Sequence, residues 1–506
     1  MFKAIRPGLL LGLIPALAVA QSVHCGRLRS LTADEGLALH QVSQSLHHGT
    51  SALLHEIHTP LYNFLLAGWS VILGAEASSA KLLSAMMAAL SVLLTFLFAR
   101  RRLGGRTAAI AALLLASAPL HVYYSQSIRT YALLIAMATL SSHAYLGYCE
   151  RPGRKSGTYY LLATALMVYS HLTGFGIVIA QWIHFLWFGA RPDRVRRIPA
   201  WLGLQSLLIL LYSPVLVVLL TRFDLVRDIP YYYSWVRMPA LGDLAIHLAD
   251  LPGQNPRHEL AFLYAVPVVF AAMFARKSPP SPGSPQDDAH AHAYLWLWYL
   301  VPGVTVYLYA RVHSPVPLLR AIVPSIVPVT VLAASGLAGM SRRWRSSWIL
   351  LSVMLLVSLR ITLQQWTWDR EGWFGLESRL QPGNSDIVLV WPSILMHSYA
   401  YYEAPECFGS PRLEECLNSK QVHPFDTFDR IEGKLSPGAT VWLIGHTPGI
   451  SPESGGAEIL RLLKTTPDYT EAVREKKISQ GLGAVRFTVP GQMSPLRGID
   501  PFRTRK

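Results

Sequence analysis

The stretch from Ala80 to Arg106, AKLLSAMMAALSVLLTFLFARRRLGGR, sets the class of this chain. Residues 80–99 hold one charge, Lys81, and are otherwise apolar or small. About 20 such residues, wound as a helix, cross the hydrocarbon core of a bilayer. Four arginines follow at once: Arg100, Arg101, Arg102 and Arg106. A basic cluster abutting an apolar span marks its cytoplasmic end.

The rest of the chain repeats this pattern. Of 506 residues, 51% are hydrophobic and 15% charged, with a mean hydropathy of +0.31. Collagen-like, low-complexity and disordered classes are excluded, because an apolar content this high buries itself. Residues 1–363 carry 29 Lys/Arg against 13 Asp/Glu, whereas residues 364–506 carry 16 against 17. The basic excess therefore flanks apolar runs and lines no groove, so nucleic acid is not an expected partner. Eleven segments read as spanning helices: 5–21, 80–99, 105–120, 131–148, 158–170, 174–189, 200–220, 260–275, 293–310, 320–340 and 347–363. The clusters around Lys3, Arg100, Arg151, Arg191, Arg276 and Arg342 all fall on the cytoplasmic side when the N-terminus is inside.

Pro60–Leu73, PLYNFLLAGWSVIL, decides this parity. Its 14 residues are short for a span; counted as one, they would put Arg100–Arg102 outside and invert every later cluster. It is read as lying flat in the outer interface, with Tyr62 and Trp69 at headgroup level. Lys3, Arg6 and Ala18-Val19-Ala20 resemble a cleavable signal, but the segment is read as an uncleaved first helix. The fold class is thus a mainly α, polytopic membrane protein. A transmembrane domain covers 1–363, with external regions at 22–79, bearing interfacial helices, and at 221–259. The tail 364–506 alternates β-like runs, Asp386–Trp391 and Thr440–Ile444, with helical and Pro/Gly-rich stretches, and reads as a small extracytoplasmic α/β domain. Tyr231-Tyr232-Tyr233-Ser234-Trp235 and the amphipathic run Leu241–Leu251 read as interfacial. Lys277–His292 reads by composition as a mobile cytoplasmic loop. Cys407 and Cys416 lie close enough in the tail to form a local disulfide in an oxidising compartment.

Polar residues cluster where an apolar boundary makes them costly. Thr32-Ala33-Asp34-Glu35 opens a helix-like stretch, with Thr32 or Asp34 as its N-cap. His55-Glu56-Ile57-His58-Thr59-Pro60-Leu61-Tyr62 follows, then Tyr123-Tyr124-Ser125-Gln126-Ser127-Ile128-Arg129-Thr130-Tyr131, Tyr169-Ser170-His171 and Leu318-Leu319-Arg320-Ala321. Under the topology drawn from Lys and Arg alone, all five fall on the outer side. Carboxylates, histidines, arginines and tyrosines on one membrane face suit an anionic, lipid-linked substrate.

In order and spacing, these elements resemble a family. The acidic pair after the first helix, the H-x-P-L-Y stretch at His58–Tyr62, the Y-Y-S-Q-x-x-R-x-Y-A-L-L element from Tyr123 to Leu134, and Tyr169–His171 are similar to those of membrane glycosyltransferases related to protein O-mannosyltransferases and lipid A aminoarabinose transferases. The likeness spans roughly residues 1–340. Ser127 stands where many relatives carry an acidic residue. The resemblance implies a C-type glycosyltransferase fold and a sugar donor carried on polyprenyl phosphate, used at the extracytoplasmic face of the bacterial inner membrane. It implies that Asp34 is the base and that Glu35 orients the acceptor or supports Asp34. Arg129 and Arg320 would neutralise the departing phosphate, because a guanidinium offers a planar fork and stays charged when partly desolvated. Tyr124 and Tyr131 would donate hydrogen bonds beside it, and Glu56, His58 and His171 would bind substrate. No cofactor is expected; a divalent ion held by Asp34, Glu35 and a histidine is conceivable, but the resemblance leans to metal-independent transfer. Lys81 is read as a headgroup contact. Acceptors of three kinds fit equally: lipid, glycan or protein. The alternative function is a transporter or flippase of a lipid-linked sugar, which would call for inverted repeats and broken helices at mid-membrane; no convincing internal symmetry is visible.

Overall fold

The structure, a computed structural model, describes residues 7–49, 60–187, 194–221, 237–253, 257–274, 285–313, 315–341 and 347–366. In the C-terminal region it describes 373, 380, 382–383, 385–426, 431–436, 438–446 and 482–488. Two compact units divide the chain. Met1–Gly26, Leu54–Trp69 and Ser78–Gln365 form the first; Arg27–Leu53, Ser70–Ala77 and Trp366–Lys506 form the second.

The first unit is helical. Its helices are α1 (Pro7–Arg27), which runs on into the second unit, then α3 (Leu61–Leu73), α4 (Ala77–Leu103), α5 (Gly105–Ser117), α6 (Pro119–Ser125), α7 (Tyr131–Glu150), α8 (Arg154–Ser170), α9 (Gly174–Trp187), α10 (Arg194–Thr221), α11 (Leu241–Ala249), α12 (Glu259–Phe274), α13 (Pro285–Val312), α14 (Leu318–Ile322), α15 (Ile326–Met340) and α16 (Ser347–Trp366). The described residues of the eleven segments read as spans are α-helical apart from Ala118 and the 3₁₀ turn Val323–Ser325. Among the described residues, six helices are long and apolar enough to cross a bilayer, seven if α5 and α6 form one span bent by 62°. That bend falls at Ala118, where Pro119 opens α6 at its first position; proline is tolerated there and turns the preceding residue away from helix. The helices α3, α9 and most of α12 are apolar but shorter.

Close backbone approach and buried polar bonds hold these helices together. Gly336 of α15 rests against the backbone of Pro267 in α12, where no Cβ would fit. Tyr160 donates to Gln181 (2.9 Å), Gln181 to Ser141 (3.1 Å) and Gln205 to Tyr160 (3.1 Å). These bonds join α7, α8, α9 and α10, with each buried polar group meeting another, as a low-dielectric interior demands. Glu150 pairs with Arg101 and Arg102, offsetting part of the basic cluster that ends α4.

Several expectations are corrected here. Tyr62 is buried, its hydroxyl 2.9 Å from Ser84 Oγ, so it fastens α3 to α4 and does not face headgroups. Lys81 is buried too and donates to the carbonyl of Gly26 at 2.8 Å, capping α1 where the helix dipole favours a cation. The stretch 285–292, read as loop, forms the start of α13. There the carbonyl of His290 accepts from His184, and His292 Nε2 lies 2.9 Å from Ser335 Oγ. Proline opens the helix, and the apolar residues after it propagate the fold backwards through a composition that alone reads as linker.

The second unit is an α/β domain. Strands β1 (Ile387–Trp391), β2 (Val422–Pro424), β3 (Thr440–His446) and β4 (Leu482–Thr488) form one sheet in the order β2-β1-β3-β4. The pairs β1–β2 and β1–β3 are parallel, with Val388 opposite Val422 and Trp442; β4 runs antiparallel to β3. The parallel connection carries α17 (Met396–Glu403) and α18 (Leu413–Ser419). Val388, Val390, Leu395, Tyr399, Leu413 and Leu417 pack on one face of the sheet, Ile387, Leu389, Phe425 and Leu443 on the other. Cys407 and Cys416 form a disulfide, Cα atoms 5.7 Å apart, inside this crossover. Helix α2 (Ala33–His48) belongs to this unit although it is remote in sequence.

Candidate active site

In the first unit, the Tyr123–Tyr131 element is the turn joining α6 to α7. Gln126 and Ser127 donate back to the carbonyls of Tyr123 and Tyr124, both at 3.3 Å, which closes the turn and carries Arg129 and Thr130 to the start of α7. Thr130 Oγ1 donates to the carbonyl of Ser170 at 2.6 Å, tying this turn to the end of α8. His171 caps α8 in extended conformation, so the helix stops at that point. The side chains follow this geometry. Tyr124 and Tyr131 ring centroids lie 4.5 Å apart, and Tyr131 and His171 5.9 Å. Three predicted site residues thus form one aromatic row. Arg129 is half-buried in the same turn.

The tautomer of His171 follows from its neighbours. Thr173 N–H donates to Nδ1 at 3.2 Å, and Thr173 Oγ1 lies 2.9 Å from the same nitrogen. An Nδ1 that accepts a backbone hydrogen bears none, so neutral His171 carries its proton on Nε2. That nitrogen can donate to a phosphate or sugar oxygen. Arg320 stands exposed on the short helix α14, a separate element of the same unit. Glu56 and His58 lie outside the described residues.

Asp34 and Glu35 sit in the second unit, in the first turn of α2. The spacing Thr32-x-x-Glu35 forms a capping box: Glu35 N–H donates to Thr32 Oγ1 at 3.3 Å, and Thr32 N–H to Glu35 Oε2 at 2.8 Å. Reciprocal caps satisfy two backbone donors that a helix start otherwise leaves open. Glu35 is almost wholly enclosed at 1% exposure, whereas Asp34, one position earlier, is half-buried. The two carboxylates therefore differ: one closes the turn, and the other stands half-buried in the first turn of the helix.

Residues that the sequence reading did not single out surround this turn. Leu31 N–H donates to Tyr402 Oη at 2.8 Å, and Ser398 Oγ donates to the carbonyl of Thr32 at 3.1 Å. Trp373 stacks on Tyr402, and its backbone N–H donates to Ser30 Oγ at 3.3 Å. Gly409 N–H donates to His40 Nδ1 at 3.0 Å. Burial, then the neighbouring His397, lowers the His40 pKa to about 3. No local signal marks these partners of the turn, which lie 343 to 371 positions downstream of the residues they bond. Among the described residues, no group of three His, Cys, Asp or Glu side chains is placed to hold a metal ion.

Residues 57–218 match the model of a family described as dolichyl-phosphate-mannose-protein mannosyltransferase. The matched stretch contains the Tyr124–Arg129–Tyr131–His171 arrangement. In fold the chain is similar to membrane glycosyltransferases of the C type. It is similar to ArnT from Cupriavidus metallidurans bound to undecaprenyl phosphate, with a TM-score of 0.58 at 14% identity over 94% of this chain and 97% of that one. It is also similar to the oligosaccharyltransferase of Archaeoglobus fulgidus in complex with Zn and sulfate, with a TM-score of 0.53 at 13% identity over 89% of this chain and 69% of that one. No curated protein matches the chain in sequence.

Proposed function

We propose that the protein is an inverting glycosyltransferase that moves a sugar from a polyprenyl-phosphate donor to an acceptor hydroxyl. In this reading, eleven helices cross the bacterial inner membrane with the N-terminus inside, and the active site and C-terminal domain are extracytoplasmic. The observation that carries the proposal is the joining of Tyr124, Arg129, Tyr131 and His171 at one helix turn and one helix cap, inside the stretch that matches the mannosyltransferase family. The fold shared with ArnT, a protein seen with undecaprenyl phosphate bound, supports a lipid-linked donor.

The chemistry follows from the residue types. Asp34, a carboxylate able to act as a general base, takes the proton of the acceptor hydroxyl. The acceptor oxygen forms a bond to the anomeric carbon while the bond from that carbon to the phosphate oxygen breaks. One displacement inverts the anomeric centre. The electron pair leaves on polyprenyl phosphate, whose added charge Arg129 and Arg320 neutralise as hydrogen-bonded forks. Tyr124 and Tyr131 donate to the same oxygens, as does His171 through Nε2. Glu35 holds the Asp34 turn closed. Which sugar and which acceptor are used is set by surfaces these residues do not define.

Mass spectrometry of envelope lipids and glycans from cells with and without the gene tests the proposal. The expected result is an acceptor heavier by one sugar residue only when the gene is present. Movement of lipid-linked sugar across reconstituted vesicles, with no glycosidic product, would contradict it in favour of a flippase.

A further inference from the structure

The C-terminal α/β domain has no assigned role, and the polar contacts of the acidic turn point to one. Three consecutive residues before α2, Ser30, Leu31 and Thr32, are each bonded to that domain. Ser30 Oγ accepts from the Trp373 backbone N–H at 3.3 Å, Leu31 N–H donates to Tyr402 Oη at 2.8 Å, and the Thr32 carbonyl accepts from Ser398 Oγ at 3.1 Å. The same Thr32 carbonyl accepts the first helical hydrogen bond, from Gly36 N–H at 2.9 Å. Gly36 itself lies against the backbone of Ser398, at a place where a side chain would collide. Neighbouring Tyr401 accepts from Ala77 N–H at 3.2 Å, so one short helix, α17, also holds the segment leading into α4.

Apolar packing alone would keep α2 on the domain but would let it slide and rotate by fractions of an ångström. Hydrogen bonds on consecutive backbone groups fix the dihedrals of the turn itself. Asp34 follows these groups by two residues, and a base must stand within hydrogen-bond reach of the proton it removes. A misplacement of about 1 Å can cost about 10²-fold in rate.

We infer that the C-terminal domain is the positioning platform of the Asp34 turn, with Tyr402 and Ser398 as its positioning residues. This rests on the reading of Asp34 as the base. Tyr402→Phe keeps the stack on Trp373 but removes the acceptor for Leu31 N–H. Ser398→Ala removes the donor to Thr32 and adds no bulk.

The full-length protein and each variant, purified, are mixed with increasing amounts of membranes from the gene-deletion strain. Those membranes hold both donor and acceptor, and the gene-dependent product is read by mass spectrometry. Both variants should lower the maximal rate by roughly ten- to a hundred-fold, with the half-saturating membrane amount unchanged. Their thermal midpoints should stay near that of the wild type. Amide exchange in residues 31–36 should quicken while that of β1 and β3 does not change. Wild-type rates in both variants, or losses that only follow the amount of folded protein, would overturn the inference. So would fast exchange of the Leu31 amide in the wild type, a measurement that does not need the variants to fold. Asp34→Asn, run alongside, separates the two levels: if it stays active, or no gene-dependent product forms, the reading beneath fails and this inference with it. An inactive Asp34→Asn beside fully active Tyr402→Phe and Ser398→Ala overturns the positioning role alone.

Discussion

Arg129 shares a helix turn with Tyr124 and Tyr131, whose rings lie 4.5 Å apart, and its proposed task depends on shape as well as charge. Arg129→Lys keeps the charge but loses the planar fork. It should slow sugar transfer roughly ten-fold or more, with Arg129→Ala slower still; equal rates for Lys and Arg at this position would argue for simple anchoring at the helix end. His40 gives a prediction about pH. Its pKa is about 3 in the folded protein, from burial and then His397, against about 6.5 in an unfolded chain. Below pH 6.5 the unfolded chain takes up a proton that the folded one refuses, so stability falls as pH drops from 6.5 towards 3 and is flat above. Between pH 6.5 and 4.5 the loss is about 2–3 kcal/mol, and protonation also removes the acceptor of Gly409 N–H. Thermal unfolding across that range should show the slope, and His40→Asn should flatten it. At this scale, the sequence showed the acidic pair, the arginine and the tyrosines as residues out of place at an apolar boundary. It also offered Thr32 or Asp34 as the N-cap; Thr32 takes that place, and Glu35 closes the box with it. Tyr402 and Ser398 were illegible, because a partner over 360 residues away leaves no periodic or local trace.

Helix α2 and helix α17 meet at a glycine. Gly36→Ala would force a methyl onto Ser398, and overpacking of this kind costs about 1–3 kcal/mol. The variant should therefore lower the thermal midpoint of the purified protein, whereas Gly68→Ala in α3, where a Cβ meets nothing within 4 Å, should leave it unchanged. Elements of this size were the most readable part of the chain. The described residues of the eleven apolar runs are helical apart from Ala118 and the 3₁₀ turn Val323–Ser325, and six of the described helices, or seven with the bent pair, are long and apolar enough to cross a bilayer. Strands β1 and β3 were visible as β-branched runs, but β2 has three residues, one of them Pro424, too few for any alternation to register. The start of α13 was missed for the opposite reason: its composition reads as linker, and the helix that follows imposes the conformation.

Across the whole molecule, the orientation proposed from Lys and Arg puts the disulfide-bearing domain outside. Membrane-impermeant maleimide should label Ser436→Cys in whole cells and Lys155→Cys only after permeabilisation, both sites being exposed; the reverse pattern would invert the topology. The disulfide closes a short loop between Cys407 and Cys416, and the chain-entropy estimate for such a loop is about 2–3 kcal/mol. Cys416→Ser should lower the domain's resistance to heat or protease by a corresponding amount. The central claim is that a carboxylate on the first external helix starts a sugar transfer from polyprenyl phosphate. Its most direct test is the yield of the gene-dependent glycosylated product in cells carrying Asp34→Asn, with membrane insertion verified by the same maleimide labelling. The account predicts a loss of product on the order of 10²–10⁴-fold in a protein that inserts normally; a yield close to that of the wild type would contradict it.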